Sequence, residues 1–189
     1  MAELFSTHTL GPLYVANRRF GPQSGEDWLA FVRGSGLGQL GEVVGLDGAL
    51  CPPVLQERLD DDWSHIVNEN LMRDYFTDLA WLLSRVLKQE GSLQHCNVLC
   101  VMRNPVIEPE LPPDFDLLGY ELVDVYGSAS VLTNCGGYPD VFAQGELNRV
   151  GLINRLERAR AIQKTLPRAY PQDGHAQCHV WAVGRWNGG

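Results

Sequence analysis

The stretch LLGYELVDVYGSASVLTNCGG, residues Leu117–Gly137, decides the fold that we expect from this chain. Apolar and smaller or polar residues alternate from Leu118 to Val123, which is typical of a strand with two unequal faces. Gly127 and the serine after it are a turn signal. The stretch therefore predicts a strand at Leu117–Tyr126, a tight turn, and a second strand at Ala129–Thr133.

The predicted hairpin ends in a Cys-Gly-Gly corner at residues 135–137, and Pro139 follows it. Adjacent glycines permit positive φ angles and a close approach of the backbone to another group. A proline has no N–H to donate, so it prevents the ladder from continuing. Such a corner suits an exposed thiol beside free backbone N–H groups, and it equally suits a sharp turn with a purely structural role.

The rest of the chain adds further strand and helix patterns. The continuous apolar run CNVLCVM at residues 96–102 is typical of a central strand. We therefore predict a single α+β domain, residues 1–189, with a mostly antiparallel sheet of five to six strands and helices packed on one face. The remaining strands are predicted at Leu13–Phe20, Gln39–Leu46, Asn97–Arg103 and Gln177–Trp186, and the helices at Ser24–Val32, Pro53–Leu59, His65–Lys88 and Leu152–Leu166.

Composition places the chain among ordinary globular proteins. It has 189 residues, of which 44% are hydrophobic and 20% charged. Its start lacks the basic region and apolar core of a signal peptide, and its apolar runs are too short to cross a bilayer. The five cysteines are an odd number without the spacing of a disulfide framework. We therefore expect a cytoplasmic protein with reduced thiols.

The net charge of −8 is unevenly distributed. Between residues 104 and 145 there is no lysine or arginine but there are seven acidic residues, whereas basic residues dominate from Glu146 onward. This block argues against nucleic acid as the main partner. It suits a basic protein partner, and it equally suits a solvated surface that keeps the protein soluble. The candidate binding residues are Glu108, Glu110, Asp114, Asp116, Glu121 and Asp124.

These observations lead to two hypotheses about function. The first is a non-catalytic interaction protein whose acidic surface binds a basic partner, as an immunity-type inhibitor does. Small immunity-type proteins of bacteria are similar in composition, which is an analogy and not a motif match. The alternative is a cysteine-dependent hydrolase or transferase with Cys135 as nucleophile, His175 or His179 as base, and Asp124 or Asn134 orienting the imidazole.

Cofactor and metal motifs are weak in this chain, so we predict neither. The segment Gly36–Gly41 matches G-x-G-x-x-G, but a helix pattern precedes it and a strand-like pattern follows, the reverse of the order in dinucleotide sites. The groups Asp62/His65/Glu69, His95/Cys96 and His175/Cys178/His179 contain metal-ligand types. They lack the paired short spacings of a structural zinc site.

Overall fold

The computed structural model describes residues 8–55, 66–70, 73–127, 129–134 and 138–188. Within these ranges the chain forms one six-stranded antiparallel sheet in the order β2-β3-β1-β4-β6-β5, together with three α-helices. This confirms the predicted α+β class, while the single domain stays a prediction. The strands are β1 Leu10–Arg18, β2 Ile66–Asn70, β3 Arg73–Phe76, β4 Cys96–Arg103, β5 Phe115–Asp124 and β6 Cys178–Trp186, and the helices are α1 Glu26–Ser35, α2 Leu79–Glu90 and α3 Leu156–Ala169.

Helices α2 and α3 pack on the same face of the sheet, as predicted. Leu82 and Val86 of α2 pack with Ala16 and Val98. Helix α3 packs its apolar stripe over β5 and β6. Because Ala16 and Val98 are directly opposite each other in the register, they share that face. The helices thus cover one side of the sheet with apolar side chains that recur at helical spacing.

The opposite face is covered by irregular chain. Residues 41–55, here called the linking segment, contribute Val44 and Leu46 to a core cluster with Val101 and Trp181. The segment bonds to two strands that are not neighbours in the sheet. Its Val54 N–H donates to β1 at Ala16 O (2.9 Å), and its Leu46 N–H donates to β5 at Glu121 Oε2 (2.6 Å). One short segment of the chain therefore spans the sheet from β1 to β5.

Two elements predicted in the linking segment are wrong. The strand predicted at Gln39–Leu46 is reduced to an isolated bridge between Val43 and Phe20. The helix predicted at Pro53–Leu59 is not helical over its described residues 53–55, where Pro53 pairs with Asn17 beside β1. Residues 56–59 lie outside the described residues. Beyond its short pairing with β3, the edge of β1 offers this proline-led segment backbone partners, and those partners outweigh the helix-opening preference of proline.

The helix predicted at His65–Lys88 is also wrong over its first half. The chain forms β2 and β3 there, and α2 begins only at Leu79, where the Asp78 carboxylate caps it by accepting from Trp81 N (2.9 Å). Tyr75 stacks on Trp181 on the face away from the helices, with ring centroids 5.1 Å apart. Residues four apart share a face in a strand as well as in a helix. The apolar spacing around Tyr75 therefore did not distinguish the two.

The remaining predictions differ from the structure mainly at element ends. The last helix begins at Leu156, not Leu152, because Ile153 exchanges two backbone hydrogen bonds with Tyr120 of β5 (2.8 and 3.0 Å). The strand predicted at Ala129–Thr133 pairs with β5 only around Ser130 and then turns. The strands β1, β4, β5 and β6 and helix α1 lie within a few residues of their predicted positions.

Candidate functional site

A buried carboxylate holds an exposed imidazole at one end of the sheet. Asp124 is the last residue of β5, and His175 lies in the short 3-10 turn Gly174–Ala176 that precedes β6. His175 Nδ1 is 2.7 Å from Asp124 Oδ2. The Asp124 side chain is fully buried, whereas that of His175 is 49% exposed. One ring nitrogen is thus fixed by the protein while much of the ring remains open to solvent, an arrangement that suits a general base.

Asp173 connects this pair to the chain that follows the hairpin. Its carboxylate accepts hydrogen bonds from the His175 backbone N–H (2.9 Å) and from the Tyr138 hydroxyl (2.9 Å). The bond from His175 N–H, followed by the one from Tyr138, lowers the pKa of Asp173 below its ordinary value. The turn that carries His175 is therefore tied to Tyr138, three residues after the candidate nucleophile Cys135.

Cys135 and the two glycines after it lie outside the described residues. Asn134, which precedes them, donates from its amide Nδ2 to Asp47 Oδ2 (2.8 Å). In the alternative hypothesis Asn134 or Asp124 orients the imidazole. The structure places Asp124, and not the Asn134 amide nitrogen, against a histidine.

Asp47 is a polar hub that sequence analysis missed. Its side chain is fully buried and accepts four hydrogen bonds, from Ala49 N, Leu50 N, Ser130 N and Asn134 Nδ2, at 2.7 to 3.0 Å. It therefore fastens the linking segment to residues 130–134 beside β5. The available signal was an aspartate before glycine, which is typical of a turn in which the side chain bonds to backbone N–H groups two residues on. The local sequence around Asp47 did not indicate the other two donors, Ser130 N and Asn134 Nδ2.

His179 does not belong to this cluster. It lies within β6, is 7% exposed, and its Nδ1 is 3.1 Å from the Asn104 amide nitrogen. Its side chain alternates with that of Cys178, so it lies on the sheet face opposite to Asp124, which pairs with Cys178. Of the two candidate bases, His175 is the exposed one, and the Asp124 carboxylate lies against its ring.

The predicted acidic surface is confined to one loop and the start of β5. Residues 104–114, here called the acidic loop, connect β4 to β5 and contain exposed Glu108, Glu110 and Asp114, with Asp116 exposed just beyond. The candidate binding residues Glu121 and Asp124 are buried at 2% and 1% exposure. That part of the prediction is corrected, because both side chains point into hydrogen-bonded sites inside the fold and neither reaches an exposed surface.

The acidic loop also presents apolar side chains to solvent. Val106 is 69% exposed and Ile107 is 76% exposed, more than the other exposed large hydrophobic residues of the described chain. They immediately precede Glu108. An adjacent pair of aliphatic side chains this exposed is unfavourable in water, and the sequence pattern did not single them out.

The acidic loop is fixed at both ends. At its start, Asn104 N donates to Val180 O (2.6 Å), and Arg160 of α3 donates to Pro105 O. At its end, Asn187 N donates to Asp114 O (2.8 Å). The residues between these anchors include the exposed apolar pair, so the loop presents that pair from a defined position.

The charges of the acidic loop affect a buried group beneath it. Tyr120 of β5 is 1% exposed. Burial first, and then the nearby charges of Glu108 and Glu157, raise the pKa of Tyr120 to about 12. Glu108 of the acidic loop therefore acts electrostatically on a phenol that lies inside the fold.

The described cysteines and metal-ligand types show no further site. Cys51, Cys96, Cys100 and Cys178 are buried, and burial raises the pKa of Cys100 to about 12. Among the described residues, no group of three or more His, Cys, Asp or Glu side chains is arranged to hold a metal ion. None of the helices within the described ranges has the length and apolar character needed to cross a membrane.

The fold and the candidate site define the class of protein only broadly. It is an α+β protein with a six-stranded antiparallel sheet, an Asp–His pair at one sheet end and an exposed acidic loop. Comparison of the chain with protein-family models, with curated proteins and with solved structures finds no match in any of the three. Function is therefore argued below from the residues alone.

Proposed function

We propose that this protein is a non-catalytic interaction protein that binds a basic protein partner through its acidic loop, in the manner of an immunity-type inhibitor. The observation that carries the proposal is the exposure of Val106 and Ile107, 69% and 76%, beside exposed carboxylates on a loop fixed at both ends. Apolar anchors surrounded by charge are typical of interface centres.

The chemistry of the loop specifies the partner. Glu108, Glu110 and Asp114 attract lysine and arginine side chains and raise the rate of encounter at low ionic strength. Val106 and Ile107 gain free energy when an apolar pocket removes them from water. The expected partner therefore has an apolar depression with basic residues at its rim.

The experiment compares two double variants as bait in affinity capture and in titration of the captured protein. Val106→Ser with Ile107→Ser removes the proposed anchors. Leu29→Ser with Leu87→Ser is the matched control, because those side chains are 51% and 46% exposed on α1 and α2. The loop variant is expected to weaken binding by about tenfold or more, while the control binds like the unmodified protein. The proposal fails if both variants bind equally, or if binding to the captured partner does not weaken as salt increases.

A second candidate function, a cysteine-dependent hydrolase or transferase, is favoured by one specific observation. The fully buried Asp124 carboxylate lies 2.7 Å from Nδ1 of the half-exposed His175 ring. In such a pair the carboxylate fixes the tautomer of the base. The base would accept the thiol proton of Cys135, and the thiolate would attack an acyl carbon of the substrate. The bond from that carbon to the leaving group would then break, and the imidazolium would give its proton to the leaving group.

Thiol labelling followed by peptide mass spectrometry separates this candidate from the interaction protein. An activated Cys135 is expected to react faster than a model thiol near pH 6.5, and His175→Gln is expected to abolish the difference. His179→Gln is the matched control. If Cys135 reacts like a model thiol, or if both histidine variants behave alike, this second candidate is rejected.

A further inference from the structure

The imidazole of His175 is held at one ring nitrogen and is open at the other. His175 Nδ1 lies 2.7 Å from Asp124 Oδ2, and the His175 side chain is 49% exposed. Its Nε2 makes no hydrogen bond within the part of the chain that the structure describes. Nε2 is therefore the atom of this ring that a molecule from solution can reach, whether or not a thiol lies beside it.

The Asp124 carboxylate fixes which nitrogen carries the ring proton. A carboxylate only accepts hydrogen bonds, so the proton between the two groups belongs to Nδ1 of His175. In the neutral ring the lone pair is then on Nε2. An imidazole nitrogen with an exposed lone pair is a nucleophile.

Backbone hydrogen bonds hold both partners of the pair in place. Val125 N, which follows Asp124, donates to Gln177 O (2.9 Å) and so ties the end of β5 to the start of β6. The turn that carries His175 is closed by the Asp173 carboxylate, which accepts from His175 N (2.9 Å). The ring therefore presents Nε2 to a reactant with little reordering of the chain.

The buried carboxylate also stabilises the product of an attack by Nε2. When Nε2 forms a bond to carbon, the ring becomes a cation that still carries the Nδ1 proton. The Asp124 side chain is fully shielded from water, so its negative charge acts on that cation with little screening. Substitution at Nε2 is thus more favourable here than on an exposed histidine that has no carboxylate on its ring.

The two carboxylates at His175 also select the charge of the reactant. Asp124 contacts the ring, and Asp173 bonds to the backbone N–H of the same residue. An anionic donor, such as one that carries a phosphoryl group, would approach both negative charges. An uncharged ester or anhydride meets no such repulsion, so it is the favoured class of donor.

We propose that His175 Nε2 is a nucleophilic site that accepts an acyl group from an uncharged activated ester or anhydride. Nε2 attacks the carbonyl carbon, the bond from that carbon to the leaving oxygen breaks, and the leaving group departs with the electron pair. Water then attacks the acyl carbon, and the carbon–Nε2 bond breaks with its electron pair returning to Nε2. The carboxylic acid is released, and its proton passes to solvent. Asp124 is the positioning residue, and Cys135 has no part in either step.

The first test labels the full chain with diethyl pyrocarbonate, an uncharged acyl donor, and follows each histidine by peptide mass spectrometry. Work at about pH 8 keeps imidazoles mainly neutral. His95 is the matched internal control, because it is also exposed and its ring makes no hydrogen bond to the described residues. His179 is 7% exposed, so its labelling reports unfolding.

We expect His175 to be labelled about tenfold faster than His95 in the same molecules. Asp124→Asn keeps the size of the side chain and removes its charge, so it should bring the rate at His175 close to the rate at His95. Phosphoramidate, an anionic phosphoryl donor, should show no preference for His175. If labelling of His179 shows that Asp124→Asn is unfolded, the ester assay below decides.

The second test measures the release of p-nitrophenolate from p-nitrophenyl acetate. His175→Gln should lose about tenfold in rate, whereas His95→Gln should stay within about twofold of the unmodified protein. Mass spectrometry of the acetylated protein separates this site from the thiol hypothesis, because the acetyl group is expected on the peptide of His175. The proposal is overturned if His175 reacts no faster than His95, if the two glutamine variants hydrolyse the ester equally, or if the acetyl group is found on Cys135 and not on His175.

Discussion

Replacement of Asp47 by asparagine tests whether the buried hub holds the linking segment to the chain beside β5. The substitution keeps the size of the side chain but replaces one acceptor oxygen by an NH₂ group. Oδ1 accepts from Ala49 N and Leu50 N, and Oδ2 accepts from Ser130 N and Asn134 Nδ2. Whichever way the new amide is oriented, it places a donor against two donors.

The magnitude follows from these two lost hydrogen bonds. A hydrogen bond to a charged acceptor contributes about 1.5–3 kcal/mol, and a buried donor left without an acceptor costs about 1–3 kcal/mol. The two effects overlap, so Asp47→Asn is expected to lower the free energy of unfolding by about 3–5 kcal/mol. That is a large part of the roughly 5–15 kcal/mol available to a typical domain.

Equilibrium unfolding in urea, followed by tryptophan fluorescence, measures this loss. Asp114→Asn is the control, because Asp114 is exposed and such substitutions change stability by about 0.5 kcal/mol or less. The two variants should share the unfolding slope of the unmodified protein. If Asp47→Asn lowers the free energy of unfolding by less than about 1 kcal/mol at an unchanged slope, Asp47 does not hold the linking segment to the chain beside β5.

Three further predictions concern other contacts. Arg158 bonds to Glu146 and holds the pKa of that carboxyl at about 2. A carboxyl pKa that is lower in the folded than in the unfolded protein stabilises the fold at pH values above the unfolded pKa. This stabilisation is lost as the pH falls through the folded pKa. Because the pair is partly exposed, Glu146→Gln should cost about 1 kcal/mol in urea unfolding at pH 7. The difference should shrink between about pH 4.5 and pH 2, and a pH-independent difference would contradict the pairing. Gly119 has φ +144, and a Cβ there would lie 2.8 Å from Ile153 O, so Gly119→Ala should lower the free energy of unfolding by about 2–4 kcal/mol. Gly145→Ala is the control and should have little effect, because a Cβ at that position meets nothing within 4 Å. Equal urea unfolding midpoints for the two variants would disprove this prediction. Cys51, Cys96, Cys100 and Cys178 are buried and should resist a thiol reagent until urea unfolds the protein, which peptide mass spectrometry checks; rapid labelling of any of them in the native protein would show that its surroundings open.

The sheet was largely predictable because its strands carry strong local patterns. The run at Cys96–Arg103 is buried almost throughout, as a continuous apolar run in a central strand should be. The alternation of apolar with smaller or polar residues before Asp124 predicted the strand that the structure shows as β5. The region at 66–78 was not predictable in this way, since the spacing around Tyr75 fits a strand and a helix equally. Its strand character comes from tertiary partners such as Trp181, which lies more than a hundred residues away.

The candidate site was predictable in part. The alternative hypothesis named His175 or His179 as base and Asp124 or Asn134 as the orienting residue. Of these combinations, the structure places His175 and Asp124 in contact. The sequence did not indicate that Asp124 and Glu121 are buried, because a charge pattern carries no information on which carboxylates face inward. Asp47 was missed since its four donors come from two segments that are about eighty residues apart.

The irregular chain beside β5 has a consequence for self-association. The outer edge of β5 is already occupied: Tyr120 exchanges hydrogen bonds with Ile153, Val131 N donates to Leu122 O, and Asp124 N donates to Ala129 O. At this end the sheet therefore offers a second chain no continuous row of unpaired N–H and C=O groups on which to add a strand. Short irregular pieces that cap a terminal strand are one way in which proteins avoid edge-to-edge aggregation. The irregular chain at 129–131 and 153 thus protects the sheet from polymerising through β5.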